Sequence, residues 1–191
     1  SACLVGSEMC IRDRFDTDLG EFRAVLYDEY CPNTVAAFVE RANAGKYDGL
    51  PVYAVVQDTY FLTGGHENDK GVYTGRDSDD EALAHEYNVD LWPFRGALVT
   101  YSELPGYSDA RYLVCNNDHT MTQEQIDELK KSMTESEKRT DVEKANLSNL
   151  FDKFIEVGGV FGMSGSVTVF GQTYDCLLYT SDAADDLIGV D

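Results

Sequence analysis

A mainly β fold with added helices, arranged as a closed antiparallel barrel or a sandwich, is what this sequence predicts. Three observations carry that expectation. Short β-like runs at 52–56, 60–63, 97–101, 111–115 and 166–170 are punctuated by turn pairs such as Gly64-Gly65 and Pro105-Gly106. One early stretch has helical periodicity. A second helical stretch, 119–157, breaks the strand pattern late in the chain and reads as an insertion packed on the outside.

Residues 15–30 read as two strands about a turn at Leu19-Gly20, with Phe22, Ala24 and Leu26 alternating against Arg23, Val25 and Tyr27. A helix follows Pro32. Asn33 or Thr34 can cap it, and Val35, Phe38, Val39 and Ala42 share one face. Gly45 is placed to end it in a left-handed conformation. Residues 71–92 are polar and expected to loop. In the insertion, Thr122 with Gln125 forms a capping-box pattern, and Ile126, Leu129 and Met133 form an apolar stripe with Lys130-Lys131 late. A second helix is expected over 141–155, using Val142, Leu147, Leu150, Phe151 and Phe154, and Gly158-Gly159 stops it.

The chain has 191 residues, which suits one domain with a real core. Its formal net charge is -20, from 35 acidic and 15 basic residues, so phosphate backbones would be repelled and nucleic acid is excluded as a partner. No apolar run approaches the roughly 18 residues needed to span a bilayer. The five cysteines have no CxxC spacing, which argues against zinc-ribbon and thioredoxin-type sites; Cys31 and Cys115 read as packing residues. His66-Glu67 and His85-Glu86 each start like a zincin motif, but the second histidine is missing. Asp77, Asp79 and Glu81 resemble a calcium loop with Ala82 where glycine is required. Gly162-Met163-Ser164-Gly165 fails the nucleophile-elbow pattern because Ser166 takes the last glycine's place. No cofactor or metal is implied.

Three segments in order resemble the cyclophilin-type peptidyl-prolyl isomerases. The first, 19–49, carries a Gly-Glu hairpin, Pro32-Asn33-Thr34-Val35 at the helix start, and Gly45-Lys46-Tyr47-Asp48-Gly49. The second, 95–117, is similar to the family's Gly-x-Leu strand, its following turn and its Ser-Gln-Phe-Phe strand. The third, 157–175, holds Thr168-Val169-Phe170-Gly171-Gln172, the strongest single match. The resemblance covers about residues 15–175 and implies a closed eight-stranded antiparallel barrel capped by helices. It also implies an Xaa-Pro isomerase that assists folding, with proline-containing peptides or unfolded proteins as partners, and a monomer. The flanking residues 1–14 and 176–191 fit no family element. They resemble translated adapter sequence, and on that reading are expected to be non-native, leaving a sheet edge without its closing strand.

The pocket departs from the family. Where the family has Phe-His-Arg-Val, this chain has Val52-Tyr53-Ala54-Val55, so the catalytic arginine falls on Ala54. The family glutamine falls on Arg111, its following Phe-Phe on Tyr112-Leu113, and its histidine on Val167. Tyr60-Phe61-Leu62-Thr63-Gly64-Gly65 replaces Phe-Met-x-Gln-Gly-Gly, with one extra residue before it. Isomerisation needs no covalent step, only tighter binding of the twisted amide than of the planar one. Arg111 and Tyr60 are expected to be catalytic, with the lost donor relocated to Arg111; the other reading of Arg111 is a peptide-binding or surface arginine that balances nearby acids such as Asp109. The resemblance implies Tyr53, Tyr60, Phe61, Thr63, Tyr101, Ser102, Arg111 and Leu113 as substrate-binding. The alternatives are a degenerate proline-peptide-binding module that keeps the groove without the catalysis, and a scaffold that works through its helical insertion.

Overall fold

The computed structural model describes residues 11–18, 20–75, 82–88, 90–117, 122–135, 140–160, 163 and 166–174. Two strands, β1 (Ile11–Thr17) and β2 (Gly20–Leu26), form the opening hairpin. The first strand starts at Ile11, four residues ahead of the expected start of the domain. Helix α1 (Pro32–Asn43) follows, then β3 (Ala54–Val56) and β4 (Tyr60–Gly64). Next come short pairs: β5 (His66–Glu67) with β6 (Tyr73–Thr74), and β7 (Leu83–Ala84) with β9 (Tyr107–Ser108). The remaining core strands are β8 (Ala97–Thr100), β10 (Arg111–Cys115) and β11 (Val169–Thr173). Between β10 and β11 lie α2 (Gln123–Thr134) and α3 (Asp141–Val157), the expected insertion.

The main sheet is antiparallel with seven strands, in the order β1-β2-β11-β8-β10-β4-β3. It curls into a half-barrel around α1. Among the described residues the fold is mainly β with three helices, and β1 and β3 end the sheet without meeting. A cavity of about 560 Å³ lies between β1 and the inner face of β4, lined by Phe15, Phe22, Phe38, Phe61, Thr63 and Tyr112 among others. The expected loop over 71–92 contributes β6 and β7, and β11 begins three residues later than the apolar run that announced it.

Helix α1 is capped differently from the sequence expectation. Cys31 occupies the N-cap and makes no side-chain cap bond. The carboxylate of Glu86 does the work from 53 residues away, accepting from the Asn33 backbone N–H (3.1 Å), Asn33 Nδ2 (2.9 Å) and the Thr34 backbone N–H (2.8 Å). A carboxylate there also complements the positive end of the helix dipole. Gly45 closes the far end with φ +69°, as its position predicts. Both insertion helices have full capping boxes, Thr122 with Gln125 and Thr140 with Glu143. They bury Ile126, Phe151 and Phe154, and Phe154 packs on Phe94 with ring centres 4.5 Å apart.

The strongest sequence match has a physical account. Thr168 is fully buried, and its Oγ1 accepts from the Glu86 backbone N–H, fixing the loop that caps α1. Val169 joins one core cluster and Phe170 the other, across a register irregularity between Val169 and Gly171. Gln172 Nε2 donates to the Arg95 carbonyl at 2.8 Å, tying β11 to the entry of β8.

Candidate active site

Strand register decides which side chains meet. On the outer face of the half-barrel, Leu113 stands opposite both Leu62 and Val99, Ala54 opposite Leu62, and Val169 opposite Val99. Leu62, Ala97, Val99, Leu113, Cys115 and Val169 form a buried floor there. Half-buried Tyr53, Tyr60, Leu91, Tyr101, Val160, Met163 and Val167 pack around it as walls. The last three come from the segment between α3 and β11, just past the helical insertion. On this face lie the expected site residues Tyr53, Tyr60, Tyr101 and Arg111, with Ser102 half-buried in the turn beside Tyr101. Leu113 is 1% exposed and belongs to the buried apolar cluster beneath this face.

Phe61 and Thr63 are placed elsewhere. Thr63 pairs with Tyr112 and Phe61 with Val114, which puts both on the inner face, where they line the cavity between β1 and β4. Thr63 Oγ1 donates to the Pro51 carbonyl at 2.9 Å. The cause is strand alternation: Tyr60 and Leu62 take one face, so Phe61 and Thr63, each an odd number of residues from Tyr60, take the other. The extra residue before Tyr60 sits in the β3–β4 hairpin, where Asp58 takes φ 53°. Leu62, unmarked by sequence reasoning, takes the groove position instead.

Arg111 is the charged centre of the face. Its side chain is 10% exposed, opposite Gly64 in register. The guanidinium donates through Nη2 to Asp109 Oδ2 at 2.7 Å and through Nε to both Asp109 oxygens at 3.1 and 3.2 Å. Nη1 reaches Glu103 Oε1 at 3.3 Å, and the cation lies 4.7 Å from the centre of the Tyr101 ring. Burial works against this charge, but the hydrogen bond and Coulomb attraction of Asp109, then those of Glu103, outweigh it and hold the pKa above its ordinary value. The Gly64-Gly65 pair makes room: a Cβ on Gly65 would sit 3.0 Å from Arg111 Cγ and would meet the Thr74 carbonyl, and one on Gly64 would sit 2.7 Å from the Ala110 carbonyl.

Tyr53 stacks on Tyr73 with ring centres 4.7 Å apart and planes 8° apart. Its hydroxyl oxygen is buried and has no hydrogen-bond partner among the described residues. Burial pushes this phenol up to about 12, against the opposing influence of Arg111, so it stays a neutral donor. Cys31 and Cys115 are buried packing residues, as expected, and burial raises each thiol to about 12. Among the described residues no cluster of histidine, cysteine and carboxylate side chains suits a metal, and no helix is long and apolar enough to cross a membrane. The calcium-loop acids Asp77, Asp79 and Glu81 lie outside the described residues. Sequence reasoning missed Leu62, Glu103, Tyr73 and the wall of Val160 and Met163. It noted Asp109 only as a nearby acid; Asp109 and Arg111 meet across the bend at Ala110, where the Arg111 backbone N–H donates to Asp109 Oδ1.

Comparison with known proteins gives the family and the fold. Residues 13–179 match the model of the family described as cyclophilin type peptidyl-prolyl cis-trans isomerase/CLD. A Streptococcus pyogenes protein named as a bifunctional phosphatase/peptidyl-prolyl cis-trans isomerase is 26% identical over 159 residues; the match takes 83% of this chain and spans 30% of that protein's length. A Staphylococcus aureus protein named as a peptidyl-prolyl cis-trans isomerase is 24% identical over 179 residues, covering 91% of this chain and 80% of its own. In fold, the chain is similar to a Cryptosporidium parvum cyclophilin type isomerase, with TM-score 0.60 at 13% identity over 95% of this chain and 86% of that one. The same Cryptosporidium protein, in a structure determined in the presence of the dipeptide Ala-Pro, gives TM-score 0.59 at 13% identity over 93% and 85% of the two chains. With the family model running through both the groove strands and the signature strand β11, the chain belongs to the family of cyclophilin-type peptidyl-prolyl cis-trans isomerases.

Proposed function

We propose that this chain isomerises Xaa-Pro bonds of peptides and unfolded segments in the groove walled by Tyr53, Tyr60, Tyr101 and Ser102, with Arg111 as its electrostatic donor. The observation that carries the reading is the shared face: a nearly buried guanidinium stands beside an apolar floor of Leu62, Val99 and Leu113. An apolar floor holds a pyrrolidine ring, and a few fixed polar groups orient the peptide. The proline ring would lie over the floor with Tyr60 against it, and the twisted amide would present its carbonyl and its pyramidal nitrogen to the N–H groups of Arg111.

Ala54 lies two strands and two residues from Arg111 in the sheet register, a Cα separation of roughly 12 Å from strand spacing and rise. Arg111 therefore acts from the β10 side of the groove and does not fill the place of the family arginine. Three of its five N–H groups are engaged by Asp109 and Glu103, which leaves one on each terminal nitrogen for substrate. A preorganised donor of this kind is worth roughly 3–4 kcal/mol, two to three decades of rate, against a barrier of about 18–20 kcal/mol.

The closed eight-stranded barrel belongs to the same reading. β1 and β3 are the free ends of the sheet, a cavity lined by Phe15, Phe22 and Phe61 lies beside β1, and one further strand pairing with both ends would complete the ring of hydrogen bonds. A protease-coupled isomerisation assay on a short Xaa-Pro peptide tests the function. The intact protein is expected to accelerate the reaction, and Arg111→Ala to lose at least tenfold. No acceleration by protein shown to be folded would leave a proline-binding module without catalysis.

A further inference from the structure

Arg111 can serve as a donor only if its guanidinium is held in one orientation, and the structure shows what holds it. Asp109 is buried, with its side chain 2% exposed. Its Oδ1 accepts from the Arg111 backbone N–H at 2.9 Å as well as from Nε, so one carboxylate fixes both ends of the residue. The carboxylate is itself confined. It occupies the notch left by the missing side chain of Gly75, where a Cβ would land on the carboxylate atoms. Gly75 has no positive φ, so glycine is needed there for space alone. The segment carrying it is stitched to the site: Ala110 N–H donates to the Gly75 carbonyl and Gly65 N–H to the Ala110 carbonyl, both at 3.0 Å. On its other side the guanidinium is covered by the Tyr101 ring.

We infer that Asp109, seated against Gly75, is a positioning residue that sets the Arg111 guanidinium across Tyr101 and turns its free N–H groups toward the prolyl peptide. The inference rests on the reading of Arg111 as the donor. It assigns a role to the Gly75–Asp109 contact, whose Asp109 is also tied to the Tyr101 wall, its backbone N–H donating to the Tyr101 carbonyl at 3.1 Å. A planar, bidentate partner matters because catalysis by a donor depends on alignment with the transition state, and about 1 Å of misplacement can cost on the order of a hundredfold in rate. The pairing also neutralises the cation, so that the site binds an uncharged amide without a bare buried charge.

The test uses the whole chain and two readouts. Steady-state kinetics on an Xaa-Pro peptide are measured for the wild type, Asp109→Asn, Gly75→Ala and Arg111→Ala, beside the Arg111 Nε–H resonance in ¹⁵N spectra. Asp109→Asn is expected to lower kcat at least tenfold with KM within twofold, and to release the protected Nε–H into fast exchange. Gly75→Ala, which reaches Arg111 only by displacing the carboxylate, is expected to do the same more weakly, and it serves if Asp109→Asn fails to fold. Loss of rate in Arg111→Ala beside wild-type kcat and a protected Nε–H in both other variants would overturn the positioning role alone. A wild-type rate in Arg111→Ala would overturn the donor assignment, and this inference with it.

Discussion

Tyr60 and Phe61, adjacent in the chain, face opposite sides of one sheet. Tyr60 pairs with Cys115 and walls the outer groove, whereas Phe61 pairs with Val114 and lines the inner cavity. Alanine at the two positions should therefore give opposite phenotypes. Tyr60→Ala is expected to raise KM for a prolyl peptide about tenfold, with little change in melting temperature, since it removes a groove wall. Phe61→Ala is expected to cost about 2–3 kcal/mol, less than a fully buried phenylalanine, because the ring already borders a cavity. That is a drop of very roughly 4–12 °C for a chain of this size. Kinetics and thermal melts on the pair check the sheet register directly. A KM effect at Phe61 with none at Tyr60 would mean the strand sits one residue out of the register described.

Tyr53→Phe isolates the orphaned phenol. The ring and its stack on Tyr73 survive, and only a buried hydroxyl without a partner is lost. Burying such a group without a hydrogen bond costs about 1–3 kcal/mol, so its removal should leave stability unchanged or raise it by up to about 1 kcal/mol, allowing for local relaxation. A thermal melt of the variant beside the wild type is the measurement. Destabilisation by more than about 1 kcal/mol would show that the hydroxyl is bonded after all.

The strands and helices were largely legible because their signals are local. Alternation of Phe22, Ala24 and Leu26, capping boxes at Thr122 and Thr140, and glycines at 45 and 158 act within a few residues. The site was legible only in part. Family likeness points at Tyr60, Tyr101, Arg111 and Leu113, and the sheet does bring them to one face. It could not place Phe61 and Thr63, because along an extended strand they alternate with Tyr60 and so face the other side of the sheet. Nor could it find the cap on α1 or the wall from Val160 and Met163, since both come from segments far away in sequence.

Glu86 reaches α1 across 53 residues, so its removal should unpin a loop as well as a helix end. Glu86→Ala is expected to cost about 1–2 kcal/mol, the usual worth of a cap, or roughly 2–8 °C in melting temperature. Glu86→Gln keeps one acceptor oxygen and loses the charge at the helix dipole, so about half that loss is expected. Hydrogen exchange at the Asn33 and Thr34 amides should accelerate in Glu86→Ala while exchange within β8 stays slow. Uniform acceleration through β8 would instead indicate global destabilisation, with no specific cap.

His85 adjoins this cap and gives it a pH dependence. Its Nδ1 lies 3.3 Å from both Ser108 Oγ and Thr168 Oγ1, and burial lowers its pKa from the ordinary 6.5. The folded state therefore disfavours the proton more than the unfolded chain does. Above about pH 7 both states are neutral at this residue and its full contribution to stability is present. As pH falls through 6.5 the unfolded chain takes up the proton first, and stability declines until the folded-state pKa is passed. Carboxylates add their own acid dependence, so the informative quantity is a difference. The stability of the wild type relative to His85→Gln, which cannot ionise, should shrink between pH 7 and pH 5. Thermal melts of both proteins across that range measure it, and a difference that stays constant would mean His85 titrates alike in the folded and unfolded chains.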